Sequence, residues 1–144
     1  MELIKTVLLI DDSDSINSMH QSLLSKFSFA EEIITKNSAS SAIEYLKHGD
    51  DGKPPRPELI FLDIEMPEEN GFAFLEKYKE LDEGTIDFKK TVIVILSNYI
   101  TPENFTKGKE YRLLGVETFI RKPIDEYDLE ELLLEHFKID LNLS

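Results

Sequence analysis

The chain has 144 residues, enough for one well-filled core and too few for two ordinary domains. Its 41% hydrophobic and 31% charged composition is that of a globular protein, and no run approaches the roughly 18 apolar residues of a membrane span. Sixteen Lys and Arg against 29 Asp and Glu give a net charge of -13, which argues against direct DNA or membrane binding and favours basic protein partners or divalent cations.

Met1 to Thr6 carries one Lys, and the apolar run that follows is too short for a signal-peptide core and ends in two aspartates, so a cytoplasmic location is the expectation. The lack of Cys excludes disulfides, thiolate metal sites and cysteine nucleophiles. Thr6-Val7-Leu8-Leu9-Ile10 reads as a first strand, buried on both faces and ending in Asp11-Asp12. From Asp14 onward Ile16, Met19, Leu23, Leu24 and Phe27 fall on one helical face. Glu32 to Thr35 is a weaker second strand, and Ser38 caps a helix whose buried stripe is Ala39, Ala42, Ile43 and Leu46.

Residues 49–57, with three prolines among charges, predict an extended, exposed loop. Leu59 to Leu62 is a third strand that delivers Asp63 to a loop marked by Met66-Pro67 and Asn70-Gly71. A helix follows from about Phe72 to Leu81, with Phe72, Leu75 and Tyr78 apolar, and Asp82 to Lys90 forms a polar connection. The β-branched run Val92 to Leu96 is a fourth strand ending in Ser97-Asn98. Thr101 and Pro102 start a fourth helix weakened by Gly108 and terminated by Gly115. Thr118 to Arg121 is the last strand, closed by Lys122-Pro123. Asp125 caps a final helix with Leu129, Leu132, Leu133 and Phe137 inward, and residues 138–144 read as a fraying tail.

Five strands alternating with five helices indicate an α/β domain with a mostly parallel sheet, spanning 1–144 with its core at about 5–137. Sites in such sheets lie at the carboxyl ends of the strands. Those ends carry Asp11 and Asp12, Asp63, Ser97 and Lys122. Each alone has an ordinary reading: a helix-capping cluster, a loop carboxylate, a polar strand terminus, a turn lysine, and for Phe119 a core aromatic. Together, three carboxylates on neighbouring strand ends repel one another and either hold a proton or recruit a cation. Magnesium, which takes few carboxylates, several waters and phosphate oxygens, suits them.

The order and setting of these residues resemble the receiver domain of two-component response regulators, over about Lys5 to Phe137. The resemblance implies a flavodoxin-like (βα)5 fold, a five-stranded parallel sheet in the order 2-1-3-4-5. It implies that Asp63 is phosphorylated by a sensor histidine kinase or histidine phosphotransfer protein. It implies Mg2+ or Mn2+ held by Asp12, Asp63, the Glu65 backbone carbonyl and, mainly through water, Asp11. Lys122 and Ser97 would assist the transfer, Ser97 and Phe119 would form a switch pair, and the bond to Pro123 would be cis. The output would be a protein contact around the fourth helix, fifth strand and fifth helix of a stand-alone, non-enzymatic switch.

Three positions depart from the family's habit: Asn98, where a small residue is usual, and Tyr99 and Glu65, which flank the phosphoryl site. They bear on the lifetime of an aspartyl phosphate. A phosphatase of the haloacid dehalogenase class is the enzyme alternative, but it needs an Asp where Glu65 stands and leaves Asp11-Asp12 unexplained. A pseudo-receiver binding module is disfavoured because no member of the phosphorylation set is missing, and a flavodoxin because the acidic first loop repels phosphate. His20, His48 and His136 are read as lying away from the strand ends, with no part in the site. Glu44, Glu130, Glu131 and Glu135 are surface charges without a role.

Overall fold

The computed structural model describes residues 3–49, 52, 55–67, 69–82 and 91–143. Five strands, β1 (Ile4–Ile10), β2 (Ala30–Lys36), β3 (Leu59–Asp63), β4 (Val92–Ser97) and β5 (Val116–Arg121), form one parallel sheet in the order β2-β1-β3-β4-β5. Between and after them run α1 (Asp14–Lys26), α2 (Ala39–His48), α3 (Gly71–Asp82), α4 (Pro102–Lys109) and α5 (Glu126–Phe137). This is the doubly wound α/β fold that the alternating pattern predicts.

Alternation along the strands divides the core into two. Leu8, Ile10, Ile60, Leu62, Ile93 and Ile95 pack with Ala42, Leu46, Phe74 and Leu75 of α2 and α3. Their neighbours Val7, Leu9, Leu59, Phe61, Val94 and Leu96 pack on the opposite face with Leu24 of α1 and Leu129 and Leu133 of α5. Because successive side chains point to opposite faces, a continuous apolar run can serve both layers. The caps at Ser38, Thr101 and Asp125 each accept a helix N–H, and Asp125 with Asp128 forms a reciprocal capping box.

Several expectations change. β2 runs seven residues, longer than its polar composition suggests, because it is paired with β1 along almost all of its length. α4 ends at Lys109, and Gly115 instead closes a separate 3-10 turn at Arg112–Leu114. The inward positions of α1 are Asn17, His20 and Leu24, while Met19 is 53% exposed. The reason is local: α1 lies against the ends of strands, where backbone groups need polar partners. The Asn17 amide donates to the carbonyls of Asp11 and Lys36, and the His20 ring accepts the Ile124 N–H.

The end of the chain does not fray at Lys138. That residue is a left-handed cap, and Ile139, only 2% exposed, joins the core and donates its N–H to Leu133. Within the loop before β3, Pro57 is buried and its carbonyl accepts the Thr91 hydroxyl. The rest of that loop at 50–51 and 53–54, and the connection at 83–90, lie outside the described residues.

Candidate phosphoacceptor and metal site

Parallel pairing places the carboxyl ends of β1, β3, β4 and β5 side by side. The register pairs Ile10 with Leu62, Asp63 with Leu96 and Ser97 with Arg121, so the residues that follow each strand open onto one crevice. Two backbone bonds set the spacing there: Ile64 N–H to the Leu96 carbonyl at 3.1 Å, and Lys122 N–H to the Ser97 carbonyl at 2.9 Å. Gly71, at the start of α3, lies so close that a Cβ would come within 2.8 Å of the Asp63 carbonyl. A larger residue would push α3 off the site.

Asp63 is fully buried. Its Oδ1 accepts the Glu65 N–H at 2.9 Å and meets the Lys122 Nζ at 3.0 Å, while its Oδ2 is buried without a partner among the described residues. Asp11 is also buried; its Oδ1 accepts the Ser13 N–H and its Oδ2 lies 3.2 Å from the same Lys122 Nζ. Asp12 is exposed at the rim. One carboxylate oxygen from each of Asp11, Asp12 and Asp63 lies within 4.8 Å of the others.

The electrostatics follow from this geometry. Burial pushes the Asp63 carboxyl above the usual range, the Glu65 N–H opposes that, Asp11 adds to it, and Lys122 pulls it back. Burial also works against the Lys122 ammonium, but its bonds to Asp63 and its proximity to Asp11 outweigh the desolvation and raise its pKa, so it stays charged. Three carboxylates against one ammonium leave a formal surplus of two negative charges. An orphaned buried oxygen beside such a surplus fits a hard divalent cation bound through oxygen by the cluster of Asp11, Asp12 and Asp63.

The two residues expected to form a switch pair, Ser97 and Phe119, stand on β4 and β5. Ser97 is buried at the end of β4, where its hydroxyl donates to the Tyr99 carbonyl at 2.6 Å and accepts the Tyr99 N–H at 3.1 Å. Glu65, exposed, reaches across with a carboxylate that accepts the Asn98 N–H at 2.6 Å. Phe119 is half-buried, its ring centroid 5.0 Å from that of Phe105. The ring occupies the space over Gly108, where a Cβ would meet it at 2.3 Å. What the sequence reads as a helix-weakening glycine is a seat for an aromatic ring. Beside it lies a cavity of about 300 Å3 lined by Ile100, Phe105, Lys109, Arg112 and Val116, with Tyr99 and Leu113 exposed nearby.

The peptide between Lys122 and Pro123 is cis. His20 is corrected in position: it is 1% exposed and touches the loop that carries Lys122, instead of lying away from the strand ends. His48 is an exposed partner of Glu44, and Glu130 accepts the Leu143 N–H, a role its surface position does not announce. The signal for His20 and Asn17 was present as spacing. Asn17, His20 and Leu24 share a helical face, but hydrophobicity alone favours the neighbouring face with Met19.

Residues 7–134 match the family model described as response regulator receiver domain. Among curated relatives, the chain is 30% identical over 128 residues to the two-component response regulator ORR1 of Oryza sativa subsp. japonica, covering 88% of this chain and 52% of the rice protein. It is 29% identical over 130 residues to response regulator Rcp1 of Synechocystis, covering 90% and 84% of the two chains. The chain spans about half the length of ORR1 and about a third of a Methanospirillum hungatei protein-glutamate methylesterase that it also matches. In structure it resembles a two-component response regulator of Cytophaga hutchinsonii, with a TM-score of 0.78, 25% identity and coverage of 96% and 100%. The chemotaxis protein CheY4 of Vibrio cholerae gives a TM-score of 0.74 at 25% identity, covering 93% and 99%. Receiver domains are signalling modules, generally not enzymes, that bind Mg2+ through an acidic cluster and are regulated by histidine kinases or phosphotransfer proteins. No helix among the described residues is long and apolar enough to cross a membrane. With its acidic cluster, its sheet order and this match over most of its length, the chain belongs to the response regulator receiver domain family, the phosphoacceptor modules of two-component signalling.

Proposed function

We propose that Asp63 accepts a phosphoryl group from the phosphohistidine of a sensor histidine kinase or phosphotransfer protein, and that the resulting aspartyl phosphate resets the surface around α4, β5 and α5 for a downstream protein partner. The observation that carries this is the state of the Asp63 carboxylate. One oxygen is tethered by the Glu65 N–H and Lys122, while the other is buried and unpartnered. A carboxylate so held has a fixed direction of attack and lacks the hydrogen bonds that would quench it.

In the transfer, an Asp63 oxygen attacks phosphorus as the phosphorus–nitrogen bond to the donor imidazole breaks. Lys122 is already within bonding distance of Asp63, and its positive charge stabilises the negative charge that builds on the phosphoryl oxygens. Asp12, Asp63 and the Glu65 backbone carbonyl, with Asp11 through water, would hold Mg2+ or Mn2+. When bound, the ion supplies charge neutralisation for the carboxylate cluster and the incoming phosphoryl group. Phosphorylation replaces one negative charge by about two.

The extra charge draws on nearby donors. Ser97 must release the Tyr99 carbonyl to donate to a phosphoryl oxygen, and the Tyr99 segment is then free to move. Phe119, packed between Phe105 and Gly108, transmits that movement to α4 and the adjoining cavity. The chain acts as a switch that assists its own phosphorylation and slow dephosphorylation, and a net charge of -13 argues against direct DNA contact.

The test is incubation with a small phosphodonor and magnesium, followed by intact mass measurement. Wild type gains one phosphoryl mass and Asp63→Asn gains none. A wild type that stays unmodified, or a variant modified at the same rate, refutes the assignment.

A further inference from the structure

Lys122 reaches its two carboxylates from a loop with few means of holding itself in place. Between the end of β5 and the start of α5, Lys122 donates its N–H to Ser97, Pro123 has none, and Asp125 donates into its own capping box. The remaining donor is the Ile124 N–H. It is buried, and its partner is the Nε2 of His20 at 3.1 Å, a residue 104 positions earlier on α1. A buried N–H without an acceptor is costly, so this bond fixes where the loop sits against α1.

We propose that His20 is a positioning residue for the phosphorylation of Asp63: its neutral ring, accepting the Ile124 N–H, holds the loop so that the Lys122 ammonium lies between Asp63 and Asp11. The inference rests on the reading that Lys122 assists transfer to Asp63. Acceptance at Nε2 assigns the proton of the neutral ring to Nδ1. Burial, followed by the nearby Lys122 charge, lowers the ring's pKa to about 4, so the acceptor is present throughout the neutral range. A leucine here would fit the apolar layer beside Leu24 and Ile124 at least as well by hydrophobicity. What leucine lacks is the acceptor.

That contrast defines the experiment. His20→Leu and His20→Gln have similar volumes, and only the glutamine presents an acceptor at about the place of Nε2. The full chain and both variants, each also combined with Lys122→Ala, are compared in their rate of phosphorylation by a small phosphodonor at saturating magnesium, and in magnesium affinity by calorimetric titration. We expect His20→Leu to slow phosphorylation roughly 3- to 10-fold, since small displacements of a positioned group are costly in rate. His20→Gln should recover most of that loss, magnesium affinity should change less than about 2-fold because the carboxylates keep their own backbone ties, and the His20→Leu effect should vanish in the Lys122→Ala background. An undiminished His20→Leu effect without Lys122, or a glutamine variant no faster than the leucine one, overturns the proposal while leaving Asp63 as acceptor. A Lys122→Ala single variant as fast as wild type overturns it together with the reading on which it rests.

Discussion

The two ends of the crevice are built by opposite rules. At β1 and β3, Asp11 and Asp63 are buried, tied to backbone N–H groups and joined through one lysine, so three of their four carboxylate oxygens have fixed partners. At β4 and β5, the Ser97 hydroxyl is bonded within its own loop, Phe119 is half-buried, and Tyr99, Ile100, Phe105 and Leu113 are exposed. The first end can hold a reacting group to a fraction of an ångström. The second has little to lose by rearranging, because few buried contacts must break. The proposed transfer to Asp63 would need the former and the proposed output the latter, and a chain of 144 residues keeps them one strand apart.

The contrast can be broken most severely at the rigid end. After loss of the acceptor itself, the largest effect is expected from Lys122→Ala, which should slow phosphorylation by about 10^2, in line with removal of one preorganised charge from a transfer site. Single-turnover kinetics by intact mass would show it, and an effect below about 3-fold would mean that the ammonium serves folding alone.

Acid should soften the same end from behind. His20 has a native pKa of about 4 against an ordinary 6.5, so its neutral form is favoured by folding. That contribution is complete above about pH 6.5 and is lost as pH falls through about 4, amounting to about 3 kcal/mol. Asp63, whose carboxyl is raised by burial, changes in the opposite sense. Urea denaturation of wild type and His20→Gln across that range isolates the histidine: wild type should lose about 3 kcal/mol relative to the variant as pH falls from about 6.5 to about 4.

The smallest effect belongs to the plastic end. Gly108→Ala sets a methyl against the Phe119 ring, costing about 1–3 kcal/mol in overpacking, while the gain in helix propensity returns about 1. The net loss should be about 1 kcal/mol by chemical denaturation, and the sign should reverse when Phe119→Leu is made first. A larger loss, insensitive to residue 119, would show that this end is as tightly packed as the other.

Much of the rigid end is legible in the sequence, since a carboxylate or lysine directly after an apolar run has one place to go in a parallel sheet. Asp11, Asp63 and Lys122 all stand where strand ends put them, as does Ser97 at the other end of the crevice. The buried polar face of α1 was not legible, because hydrophobic periodicity ranks Met19 above Asn17 and His20 and knows nothing of the strand-end carbonyls and the Ile124 N–H that those residues satisfy. Gly108 is only half legible for a related reason: the short α4 that it predicts is present, but its seat for Phe119 is not visible locally. Its cost to the helix is local and visible, whereas its benefit comes from a ring eleven residues later whose position only the fold defines. Ile139, Leu141 and Leu143 read as tail because three alternating apolar residues after a helix end form no element, yet Ile139 is buried in the core layer that α1 and α5 cover, with Leu141 packed against it.

The bond from the Asn98 N–H to Glu65 changes what a signal means here. The amide in the loop after Ser97 is already satisfied by an anion, so any phosphoryl oxygen that takes it must first evict a carboxylate. Under the proposed phosphorylation, activation would be an exchange of one acceptor for another and not the filling of a vacancy, with the difference between two anionic ligands as its driving force. Such a switch has a reference built into its own chain, and tuning residue 65 resets its zero.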